Sequence, residues 1–113
     1  MKIRIIGLLL GLGVFQMAQA ASFDCDRATM ASERTICAQR EINDADVKMA
    51  TTYNIVRKLV PMGNRGVIRD QQVKWLVLRD QCQSNVQCLA EVYKMRQQKL
   101  DLEMNRIYKQ GPF

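Results

Sequence analysis

Histidine is absent from this 113-residue chain. Its absence removes the commonest general base, every Ser–His or Cys–His nucleophile and the commonest metal ligand. The four cysteines include no pair two to four residues apart, so they lack the knuckles of a structural zinc site. Lysine and arginine are scattered, and no basic block is interleaved with aromatics, so a nucleic-acid partner is not expected. No internal repeat or low-complexity stretch follows the first twenty residues. No apolar run reaches the ~20 residues that a membrane-spanning helix requires.

The start of the chain reads as an export leader. Lys2 and Arg4 charge its beginning, Ile5 to Met17 supply a short apolar run, and Ala18-Gln19-Ala20 is a small-x-small cleavage site. Cleavage after Ala20 is expected, leaving residues 21–113 as one small domain in the periplasm. A lipoprotein would need a cysteine at the cleavage point. Cys25 instead follows Ser22-Phe23-Asp24, so no membrane anchor is expected after cleavage. Losing Lys2 and Arg4 lowers the net charge from +6 to +4. Such a surface can meet an acidic protein, a glycan or anionic lipid, or simply remain solvated.

An even cysteine count in an exported chain implies two disulfides among Cys25, Cys37, Cys82 and Cys88. Three connectivities are possible, and short loops favour the local pairs Cys25–Cys37 and Cys82–Cys88. The second pair requires a turn, because six residues of unbroken helix would hold the Cα atoms about 9 Å apart.

Helical periodicity dominates the rest. Ser22 to Arg27 reads as irregular. Thr29 offers an N-cap to a short helix ending near Ala38. A second helix is expected from Asn43 or Asp44, with Asp44 and Asp46 in its first turn and Ala45, Met49, Tyr53, Val56 and Val60 as its apolar stripe. Pro61 to Gly66 reads as a loop. A third helix covers about Val67 to Cys82, with Ile68, Gln72, Trp75, Leu76 and Arg79 on one face. After Gln83-Ser84, Asn85 is placed to cap a last helix from Val86 to about Tyr108. Its stripe is Leu89, Val92, Tyr93, Arg96, Leu100, Met104 and Ile107, and its C-terminal end is expected to project. The expected fold is therefore all-α: a small disulfide-stapled bundle of three main helices and a short N-terminal one.

Phe23-Asp24-Cys25, Glu33-Arg34-Thr35-Ile36-Cys37, Gln71-Gln72-Val73-Lys74-Trp75-Leu76, Arg79-Asp80-Gln81-Cys82, Cys88-Leu89, Tyr93 and Arg96 together form a pattern. It resembles the LprI-like family of exported bacterial helical proteins, named for a lysozyme inhibitor. The resemblance spans nearly all of residues 21–113. It implies a non-enzymatic periplasmic binding protein whose partner is a lysozyme or another peptidoglycan hydrolase, inhibited by occlusion of its cleft. The founding type is a lipoprotein, whereas no lipid anchor is expected here. The alternative function is a structural or envelope-stress interaction module with a different envelope partner. No catalytic residue, metal or cofactor is expected in either case.

Trp75, Arg79 and Asp80 carry the signature. They form either a recognition patch or a core tryptophan beside an Arg–carboxylate pair, and a lone tryptophan is usually well buried. Asp24 with Asp26, and Asp44 with Asp46, mimic catalytic carboxylate pairs, but an i,i+2 spacing on a helix points side chains apart. Asn64 and Arg65, between Gly63 and Gly66, are the candidate partner-binding residues, because a projecting guanidinium suits the two carboxylates of a lysozyme cleft. Many lysozymes are basic, so a +4 partner would need local rather than long-range complementarity.

Overall fold

The computed structural model describes residues 21–111. The leader, its cleavage site and Pro112–Phe113 lie outside the described residues. A 3-10 turn at Cys25–Arg27 precedes four helices: α1 (Ala31–Ala38), α2 (Arg40–Leu59), α3 (Met62–Gln81) and α4 (Val86–Gln110). The described residues contain no strand, and the fold is an all-α bundle.

The core follows from the helical stripes. Ile42, Met49 and Val56 recur every seven residues along α2 and are buried. Leu89, Tyr93, Leu100 and Ile107 line the matching face of α4, at spacings that keep them on one side of a helix. Ile36 of α1 and Trp75 of α3 close the main cluster. Val56, Val60, Ile68 and Ile107 form a second cluster at the α2–α3 corner. Fully burying one such side chain contributes about 1.5–3 kcal/mol, so a few of them decide the stability of a domain this small.

Two disulfides staple the helix ends, and Cys82 of the second belongs to the main core cluster. Cys25 is bonded to Cys37, with Cα atoms 5.9 Å apart, and Cys82 to Cys88, at 5.5 Å. The first pins the 3-10 turn to α1. The second joins the end of α3 to the start of α4. Gln83, at φ 52°, makes the left-handed step between them, and the Asn85 side chain accepts the Cys88 N–H at 2.9 Å as the N-cap of α4.

The structure corrects three boundaries. Helix α1 is preceded by Met30, with no side-chain cap, rather than by Thr29. Helix α2 starts at Arg40, about a turn earlier than Asn43 or Asp44. The chain bends there at the single extended residue Gln39, a corner that no glycine or proline announces. Pro61 to Gly66 is not a loop. Pro61 precedes the first helical residue of α3, where its missing N–H costs nothing, and neither Gly63 nor Gly66 needs a positive φ. At the end of α4, Ile107 packs with Val56, Val60 and Ile68, so only Tyr108 to Gln110 extend beyond the core.

Candidate functional site

Trp75, Arg79 and Asp80 lie where α3 meets its neighbours. Trp75 is 4% exposed. Its ring meets Tyr93 of α4 edge-on, with centroids 4.9 Å apart, and its indole N–H donates to the Val92 carbonyl at 2.9 Å. Arg79 is buried and donates through Nη2 and Nε to Asp80 at 2.8 and 2.9 Å. The Ser32 hydroxyl of α1 donates to the same carboxylate at 2.8 Å. The Arg79 guanidinium also sits 5.6 Å over the Phe23 ring. Burial works against the Arg79 charge, but the Asp80 hydrogen bond helps to outweigh it, and the Arg79 pKa ends raised. The signature thus ties the N-terminal segment and α1 to α3, and α3 to α4.

A second buried network was not visible as such in the sequence. Asp46 is 0% exposed. Its carboxylate accepts the Tyr93 hydroxyl at 2.7 Å and the Ser22 backbone N–H at 2.6 Å. Burial, reinforced by the adjacent Asp46 charge, pushes the Tyr93 phenol far above its usual range, so it remains a donor. Asp46 is therefore a cross-link between α2, α4 and the N-terminal segment, not a first-turn charge. Asp44 is exposed. The clue was positional: Asp46 falls between Ile42 and Met49 on the apolar stripe, and an acid there must be satisfied internally.

Asn64 and Arg65 occupy the first turn of α3, fully on the surface. Arg65 Nη2 donates to the Lys58 carbonyl at 3.2 Å, satisfying one of the orphan acceptors at the end of α2. Around it stand the exposed Leu59 and Met62, with Arg57 and Lys58 from the last turn of α2. This corner combines apolar surface with positive charge on two helices joined by two residues.

The third feature is a cleft between α3 and α4 of about 370 Å³. Trp75 and Leu100 lie in its wall. Lys74, Arg96, Lys99 and Arg106 also line it, with Glu103 as the one acid. Arg96 was placed on the buried stripe of α4, and the structure keeps it there at 3% exposure.

None of these arrangements pairs a nucleophile with a base. Among the described residues no group of three or more Cys, Asp or Glu is placed to hold a metal ion, and no helix is long and apolar enough to cross a membrane. A family model described as lysozyme inhibitor LprI matches residues 25–100. That range includes both disulfides, Asp46, the α2–α3 corner, Trp75, Arg79, Asp80 and Arg96. No curated protein and no solved structure matches the chain.

Proposed function

Since the chain belongs to the LprI lysozyme inhibitor family, we propose that it is a non-enzymatic protein that blocks a lysozyme or related peptidoglycan hydrolase by occluding its cleft. The observation that carries the mode of action is the α2–α3 corner. It is exposed, braced by the Val56, Val60, Ile68 and Ile107 cluster, and presents Arg65 beside the apolar Met62, which is 80% exposed. A glycosidase cleft holds two carboxylates, and a guanidinium can engage one of them bidentately. The leader reading adds export to the periplasm. The intact mass of the exported protein reads this directly, by the loss of residues 1–20.

Net charge favours one second reading. A chain of charge +4 after cleavage gains no long-range steering toward a basic lysozyme, whereas an acidic envelope protein would attract it. An interaction module with such a partner is the alternative.

Arg65→Glu separates the roles. If the guanidinium meets a lysozyme carboxylate, the variant weakens inhibition more than tenfold, about 1.4 kcal/mol. Its stability should change by less than about 0.5 kcal/mol, as for an exposed side chain: the Lys58 contact is lost, but a glutamate suits the N-terminus of α3. Inhibition assays and thermal melts on the same preparations read both. Unchanged inhibition would remove the corner from the interface.

A further inference from the structure

Two arginines are buried in the described part of this protein, and their surroundings differ. Arg79 has the Asp80 carboxylate at 2.8 Å. Arg96 has no carboxylate partner among the described residues. Its Nε donates to Gln72 Oε1 at 2.8 Å, and the Gln72 amide in turn reaches the Met49 sulfur at 3.4 Å. The chain of contacts therefore ends on a thioether, with no negative charge along it. Arg96 Nη2 is buried and has no hydrogen-bond partner among the described residues. Burial accordingly lowers the Arg96 pKa, with Tyr53 opposing the shift. An unpaired buried guanidinium is costly to a small domain, yet this one lies in the wall of a cleft.

The rest of that cleft has one chemical character. Lys74 and Lys99 are exposed on its two helices, and neither makes an ion pair among the described residues. Glu103, the lining acid, is already bonded to Arg106 at 2.9 Å. Leu78, Met95 and Leu102 are 46–58% exposed around it, beside the buried Trp75 and Leu100. Its volume of about 370 Å³ is in the range of small-molecule sites.

We infer that the α3–α4 cleft binds a small amphiphilic anion, with a carboxylate or phosphate head held by Lys74 and Lys99 beside Arg96 and an apolar body against Trp75 and the exposed leucines. The head brings negative charge near a buried Arg96 that has no carboxylate partner among the described residues, and the body covers side chains that otherwise face water. This site shares Ile68 with the cluster beneath the α2–α3 corner but lies outside the proposed lysozyme contact, and it does not depend on the inhibitor reading.

The only tryptophan of the chain lines the cleft, so its fluorescence reports occupancy. Octanoate and octyl phosphate are titrated into the oxidised protein spanning residues 21–113, with 1-octanol and inorganic phosphate as controls. At least one of the two amphiphiles should give a saturable change in Trp75 emission, at concentrations where both controls give none. The tighter of the two identifies the head group. Lys74→Glu and Lys99→Glu leave the buried networks intact and should each weaken that binding about tenfold or more. Arg96→Gln should weaken it as well, with a thermal melt confirming that the variant folds. An equal response to 1-octanol, no saturable response to either amphiphile, or unchanged binding by both lysine variants would overturn the inference.

Discussion

Trp75→Ala is expected to destabilise the domain by about 3–5 kcal/mol, the range for removing a large aromatic from a packed core. The indole is almost wholly enclosed, meets Tyr93 edge-on at 4.9 Å and donates to the Val92 carbonyl of α4. Its loss opens a cavity where α3 faces α4 and removes the contact that orients Tyr93 toward Asp46. Small domains have only about 5–15 kcal/mol in total, so the variant should be partly unfolded near physiological temperature unless the disulfides hold it. Urea melts with both disulfides intact measure the effect. A loss below about 1 kcal/mol, accompanied by loss of partner binding, would move Trp75 from core to interface.

Asp46→Ala should cost about 3 kcal/mol, the upper part of the range for hydrogen bonds to a charged group. The alanine would leave the buried Tyr93 hydroxyl without its acceptor and the Ser22 N–H without its anchor. Tyr93→Phe removes only the hydroxyl and should cost less. Because Asp46 and Tyr93 share one bond, the double variant should lose less than the sum of the single ones, with a coupling of about 1 kcal/mol or more. Additive losses in chemical denaturation would show that Asp46 is satisfied chiefly by the N-terminal segment.

The parts of this fold that were legible in the sequence are those where periodicity and capping agree. Of the α4 stripe, Leu89, Tyr93, Arg96, Leu100 and Ile107 are buried as spaced, Val92 and Met104 are half-buried, and Asn85 caps that helix. The two disulfides join the cysteines nearest in sequence, as short loops favour. The errors arose where local chemistry was a poor guide. Gln39 turns the chain between α1 and α2 with an ordinary side chain, so nothing local marks the start of α2 at Arg40, and Asp46 reads as a first-turn charge although it lies beyond that turn. Pro61, Gly63 and Gly66 suggested a loop, although proline suits a helix start and the tertiary cluster of Val56, Val60, Ile68 and Ile107 holds the corner closed. The signature Trp75-Arg79-Asp80 was identifiable, but its links to Ser32, Phe23 and Val92 join residues far apart in the chain, and no pattern of spacing encodes them. The unpaired state of Arg96 is of the same kind. The sequence places the charge on a buried stripe, and only the packed helices show that no carboxylate among the described residues comes to meet it.

The most direct test of the inhibitor reading is the lytic rate of chicken-type, goose-type and phage-type lysozymes on peptidoglycan, measured against increasing concentrations of the oxidised protein spanning residues 21–113. Inhibition of at least one type is predicted. It should be reversible on dilution, unchanged by chelator and without covalent modification of the lysozyme, because occlusion requires no metal and no nucleophile. Undiminished lysis by all three types, with the inhibitor shown to be folded and in large excess, would contradict it.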